Sequence, residues 1–237
     1  MYGIDPLYIA LALPGLLLGL WAQWRVKSTF TRFAQVPTIR SMSGAEVAAM
    51  ILRVNGITDV RIEPSRGMLS DHYSPNEKAL RLSPEVYEGR TIAAAGVAAH
   101  EVGHAIQHAQ RYAALGMRSA LVPAVQLGSP FAVPIILVGF FLSAYVGTGI
   151  GQIVSLVGIA LFSVMVLFQL ITLPVEFDAS RRALIAIEQG QILDPRELDG
   201  ARAVLRAAAW TYVAAAVSAV LTLLYFLIRS GLLRRRD

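Results

Sequence analysis

Cysteine is absent from the 237-residue chain. That excludes disulfides, thiolate-bound zinc, iron–sulfur clusters and thiol nucleophiles, so any metal site must be built from His and carboxylates. Charge is scarce as well. Only 16% of residues are Asp, Glu, Lys or Arg, against about 25% in an average soluble domain. Hydrophobic residues make up 55%, and the mean hydropathy is +0.56. This composition argues against an ordinary soluble protein. Acidic residues are outnumbered 16 to 21 by Lys and Arg, a formal net charge of +5. In so apolar a chain the basic excess points to membrane topology. No stretch interleaves aromatic and basic residues as an RNA-binding motif does, so no nucleic-acid partner is expected.

Long uncharged runs occupy much of the chain. Residues 7–24 form an 18-residue run with Tyr8, Trp21 and Trp24 near its ends, enough to cross a hydrocarbon core of about 30 Å. The only charge in residues 1–6 is Asp5, and Arg25 follows Trp24 without a small-residue cleavage site. An uncleaved anchor is expected. Residues 119–175 hold no charge over 57 positions, too long for one span and right for two. Gly147-Thr148-Gly149-Ile150-Gly151 is the natural break, giving spans of roughly 120–146 and 153–173. Residues 207–228 form a fourth uncharged run of 22.

Two polar islands remain, 25–118 and 174–206. In the larger, Ser43-Gly44-Ala45-Glu46 is a capping box that predicts a helix over 44–53, closed at Asn55-Gly56. Residues 58–63 alternate like a strand. Residues 68–73 and 79–82 flank a turn at 74–78 and predict a hairpin. Ser83-Pro84 opens a short helix, and 91 to about 117 reads as one long Ala-rich helix. In the smaller island, Asp194-Pro195-Arg196-Glu197 is a second capping box, opening a helix that continues into the fourth run. The expected division is an anchor at 1–24, a polar domain at 25–118, a two-span hairpin at 119–175, a helical segment at 176–206, and a last span with a basic tail at 207–237.

The informative stretch is His100-Glu101-Val102-Gly103-His104, the pattern H-E-x-x-H. On a helix, positions i and i+4 share a face about 6 Å apart, so both imidazoles reach one zinc ion. Glu101, beside them, is placed to take a proton from a water at the metal. A catalytic zinc needs a third protein ligand and an open position. His108 lies on the same face but about 12 Å along the helix from His100, too far for one ion to bind all three, and reads as an interfacial polar residue. His72 is an outside candidate, with a surface strand histidine as the alternative. Two carboxylates compete more strongly. A two-span hairpin returns the chain to the face it left, which brings both Glu176 and Asp178 back to the side carrying His104.

Several segments resemble one family. They are Ser70-Asp71-His72-Tyr73-Ser74-Pro75, His100-Glu101-Val102-Gly103-His104-Ala105-Ile106-Gln107, Leu173-Pro174-Val175-Glu176-Phe177-Asp178-Ala179-Ser180-Arg181-Arg182-Ala183 and Ala209-Trp210-Thr211-Tyr212-Val213-Ala214. Together they resemble the YugP-like membrane zinc metallopeptidases over nearly the whole chain. The layout is also similar to that of the HtpX-like gluzincins, in which H-E-x-x-H is followed by two spans and a ligand Glu in an E-x-x-A-D context. The resemblance implies a mainly α membrane protein with about four transmembrane helices and a small α+β zincin-like domain of minimal gluzincin type. It implies Zn²⁺ as cofactor, held by His100, His104 and Glu176. The Asp four residues after the ligand Glu in that wider group is Ser180 here, which leaves Asp178 or Ser180 to orient a zinc histidine.

Two functions are compatible with these residues. One is a membrane-embedded zinc endopeptidase acting on membrane or membrane-proximal polypeptides. In it an extended substrate pairs with the hairpin edge, and His72 or Tyr73 serves the oxyanion. The other is a non-proteolytic membrane scaffold with a structural metal. Glu101 favours the first, since a structural site has no use for a carboxylate beside the water position. The islands carry 12 and 5 of the basic residues, which by the positive-inside rule predicts a multi-pass cell-membrane protein with its active site on the cytoplasmic side. Arg229, Arg234, Arg235 and Arg236 oppose this unless the fourth run is tilted, re-entrant or only half-way across.

Overall fold

The computed structural model describes residues 5–67 and 70–233. The chain is mainly helical, with one small sheet: α1 (Pro6–Phe33), α2 (Gly44–Val54), β1 (Arg61–Pro64), β2 (His72–Ser74), β3 (Ala79–Leu82), α3 (Pro84–Tyr87), α4 (Ile92–Ala109), α5 (Ala113–Tyr145), α6 (Thr148–Gln189) and α7 (Pro195–Arg229). Among the described residues, α1, α5, α6 and α7 are the four helices long and apolar enough to cross a membrane. The described residues divide into two compact units. One takes the chain up to Trp21, Met117–Leu173 and the residues from Tyr212. The other takes Ala22–Gly116 and Pro174–Thr211.

In the first unit, Ala132, Ile136, Ile159, Phe162, Val166, Ala219 and Phe226 form the buried core. Phe162 and Phe226 meet edge to face at 5.5 Å. Small residues allow the close approach that drives helix association in lipid. A Cβ on Gly158 of α6 would sit 2.7 Å from the Ile136 backbone nitrogen of α5. Helix α5 contains Pro123, Pro130 and Pro134, which membrane helices tolerate far better than soluble ones. At the start of α1, Asp5 Oδ2 accepts a hydrogen bond from the Tyr225 hydroxyl near the end of α7 (3.2 Å), and the Tyr8 ring packs on that of Tyr225. The far end of the fourth run therefore meets the beginning of the first helix within this unit.

The second unit holds the sheet, in the order β1-β3-β2. β1 runs parallel to β3, and β2 antiparallel to it with Tyr73 opposite Leu80. The hairpin is as expected, but its first strand is His72–Ser74, and residues 68 and 69 lie outside the described residues. The first strand is Arg61–Pro64, at the end of the stretch that alternates. The α2 capping box forms with both of its hydrogen bonds, Glu46 N–H to Ser43 Oγ (3.2 Å) and Ser43 N–H to Glu46 Oε2 (2.7 Å). At α7, Glu197 Oε2 accepts from Asp194 N–H (2.8 Å), but Asp194 Oδ1 caps Arg196 N–H. The other oxygen of Glu197 accepts from Ile39 N–H (2.6 Å), so a loop far away in sequence is tied to the start of α7.

Two expectations about helices are corrected. The helix expected over 91–117 ends at Ala109. There, Arg111 N–H bonds to His108 O and Tyr112 N–H to Gln107 O, with Arg111 at φ +53°. This is a left-handed C-terminal cap of the kind usually built on glycine, and an Arg in that place gives no sequence signal. The helical segment expected at 176–206 is not a unit of its own. Helix α6 is continuous from Thr148 to Gln189 with Pro174 inside it, so Glu176 is mid-helical, and α7 begins only at Pro195.

Candidate metal centre

Thr91 caps α4 by accepting from Ala94 N–H. The helix that follows is rich in alanine and buried along most of its length. Small residues let the backbones on either side come close. A Cβ on Gly103 would lie 2.3 Å from the carbonyl oxygen of Ala179 on α6, so only glycine fits at the contact between α4 and this part of α6. Gly103 sits between the two histidines in sequence, and Ala179 lies three residues after Glu176. The contact sets the face of α6 that the imidazoles meet.

Glu176 Oε2 lies 3.1 Å from His100 Nε2 and 3.6 Å from His104 Nε2. The rings of His100 and His104 stand edge to face at 4.9 Å. One donor atom from each of the three residues lies within 4.8 Å of the others. Nitrogen and oxygen ligands of a tetrahedral zinc, each about 2.0–2.1 Å from it, are about 3.3 Å apart. The two measured distances bracket that spacing. The Glu176 side chain is only 2% exposed. A buried carboxylate of this kind is retained where a cation compensates it. Two imidazole nitrogens and one carboxylate oxygen are also the donors that zinc takes in place of sulfur. The residues fit a zinc ion.

Glu101 is buried on the same helix, but its carboxylate makes no side-chain hydrogen bond or ion pair among the described residues. No fully inaccessible side-chain polar atom is left unpartnered, so the Glu101 oxygens open onto accessible space, as a group that handles a water proton must.

The remaining candidates fall elsewhere. Asp178 is not one of the three clustered residues and is held by Gln107, Arg181 and Arg182. Ser180 Oγ lies 3.1 Å from His100 Nδ1. His72 is exposed on β2, with Nδ1 2.8 Å from Ser70 O, and stands apart from the three-residue cluster. Tyr73 is buried, and its hydroxyl lies 2.8 Å from His108 Nδ1. Burial pushes this phenol up to about 12, so it stays protonated. His108 is therefore engaged by the sheet. Gln107 is a residue that composition and spacing did not single out. Its Oε1 lies 3.0 Å from His104 Nδ1, and it is fully buried. The one local signal for it is its position three residues after His104, on the same helix face.

Fold and site together define a membrane protein with an H-E-x-x-H helix completed by a glutamate from a later helix. Residues 8–231 match the family described as "Putative neutral zinc metallopeptidase", and the chain belongs to that family. It is similar to the "Putative membrane protease YugP" of Bacillus subtilis (strain 168), with 45% identity over 222 residues, 94% of this chain and 96% of that protein. No solved structure matches the chain.

Proposed function

We propose that the chain is a zinc endopeptidase of the cell membrane, hydrolysing peptide bonds of membrane or membrane-proximal polypeptides. The convergence of His100, His104 and Glu176 carries this reading, with the unpaired Glu101 carboxylate beside the first histidine. In it, His100, His104 and Glu176 are the ligands of the ion. Bound there, zinc supplies Lewis acidity, which polarises the scissile carbonyl and makes water acidic enough to attack near neutral pH. Glu101 takes the proton of the attacking water on its carboxylate and passes it to the nitrogen of the leaving amine. An extended substrate adds to the outer edge of β2, which is an edge strand in the order β1-β3-β2. On that strand His72 is exposed toward such a substrate, whereas the buried Tyr73 hydroxyl is engaged by His108.

The test uses the purified full chain in detergent. Zinc content and cleavage of an unfolded membrane polypeptide are measured for the wild type and for Glu101→Gln. Stoichiometric zinc in both, with cleavage only in the wild type, is expected. Zinc in both with cleavage in neither leaves a structural site and defeats the peptidase reading.

A further inference from the structure

Behind His104 lies a side chain that the reaction itself does not use. Gln107 is fully buried, and its amide nitrogen donates both protons, to Val175 O (2.8 Å) and to Asp178 Oδ2 (2.9 Å). A backbone carbonyl and a carboxylate can only accept. Exchanging the amide nitrogen and oxygen would therefore set the Gln107 oxygen against two other acceptors with no proton between them. The oxygen is thus fixed on the other side, 3.0 Å from His104 Nδ1. An amide oxygen also only accepts, so the proton in that bond belongs to Nδ1. A neutral imidazole protonated there carries its lone pair on Nε2, the atom that faces Glu176 Oε2.

Asp178, which orients the amide, is itself held. Arg181 and Arg182 pair with it, and Arg182 also donates to Gln110 Oε1 and lies over the Tyr112 ring. His100 is treated differently. The Ser180 hydroxyl at its Nδ1 can donate or accept, so it imposes no tautomer.

We propose that Gln107 is a positioning residue. Oriented by Val175 and Asp178, it holds His104 in the Nδ1–H tautomer, so that the Nε2 lone pair is presented to the metal before the metal arrives. This rests on the metal centre proposed above. Groups that hold a metal histidine from behind typically contribute about 10–100-fold in metal affinity.

The experiment reads the tautomer without any metal. In the metal-free full chain with ¹⁵N-labelled histidine, long-range ¹H–¹⁵N spectra should show His104 protonated at Nδ1. Gln107→Leu should mix the two tautomers and weaken zinc binding, measured against a competing chelator, by about 10–100-fold. Gln107→Glu keeps the volume and an acceptor toward His104 but turns a second acceptor toward Val175 and Asp178. It should also weaken zinc binding, and adding Asp178→Asn, whose amide can donate, should restore part of the loss. Ser180→Ala should leave the His104 tautomer unchanged. A wild-type tautomer and wild-type zinc affinity in Gln107→Leu, or zinc binding in Gln107→Glu as tight as in the wild type, would overturn the proposal while leaving the metal centre standing. Absence of zinc binding by the wild type would defeat the metal centre itself.

Discussion

Glu101 and Glu176 are both buried, yet Glu176 lies within 3.6 Å of two imidazole nitrogens whereas Glu101 has no side-chain partner among the described residues. Their substitutions should separate accordingly. Glu176→Ala removes a ligand, and metal analysis of the purified variant should find the stoichiometric zinc lost. Glu101→Gln leaves the ligands in place, so zinc and fold should persist while turnover falls by at least about 10²–10⁴-fold, the usual contribution of a general base. Near wild-type turnover would remove Glu101 from the mechanism. The histidine pair and Glu101 were legible in the sequence because i, i+4 spacing on one helix is a local property. The choice between Glu176 and Asp178 was not. Two residues apart on a helix, they point about 200° apart around its axis, and only the packing of α6 against α4 says which side faces the imidazoles.

At the scale of elements, the contact between Gly103 and Ala179 governs that packing. A methyl group 2.3 Å from a backbone carbonyl cannot be relieved by a rotamer change, so Gly103→Ala must move the two helices apart by about 1 Å. Overpacking of this kind costs about 1–3 kcal/mol, and here it also pulls Glu176 from the histidines. Zinc affinity should fall at least tenfold with helical content unchanged. Full affinity would show that the site tolerates the shift. The end of α4 offers the opposite effect. Arg111 sits at φ +53° with an exposed side chain, a conformation that costs a non-glycine residue about 1–2 kcal/mol, partly offset by the greater chain entropy of glycine. Arg111→Gly should therefore stabilise the protein by about 0.5–1 kcal/mol, seen as a higher midpoint of thermal unfolding.

For the whole molecule, the apolar unit brings the start of α1 to the end of α7. Asp5 at the start of α1 meets Tyr225 near the end of α7, and Arg229 lines a cavity with Ser143 and Gln152 on either side of the turn between α5 and α6. The beginning of α1, that turn and the end of α7 thus lie at one end of the unit, as an even number of spans requires. If all four runs cross, the two polar islands share one side, and they carry 17 Lys and Arg residues against four in the C-terminal tail. Arg25, Lys27, Arg32, Arg111 and Arg118 flank spans, where basic residues count most toward orientation, so the islands should be cytoplasmic. The chain has no cysteine of its own, which suits labelling. A cysteine at Asn76 should be shielded from an impermeant reagent in intact cells, and one at Thr148 should react. The reverse pattern would invert the orientation without touching the zinc chemistry.

Sequence alone determined the features that depend on neighbours along the chain. These are the four apolar runs, the α2 capping box, the turn before β3 and the face shared by His100 and His104. Each follows from composition or from a period of a few residues, and each reads the same wherever the segment lies. Tertiary structure decided what depends on distant residues meeting. Glu176 joins the histidines and Asp178 does not, Ser180 takes the back of one ring and Gln107 the back of the other, and α4 stops at Ala109 on a left-handed arginine. The physical reason is common to all of them. A side chain's direction on its own helix is set locally, but the group it meets is set by how closely two backbones approach, and here a single hydrogen atom at Gly103 permits that approach.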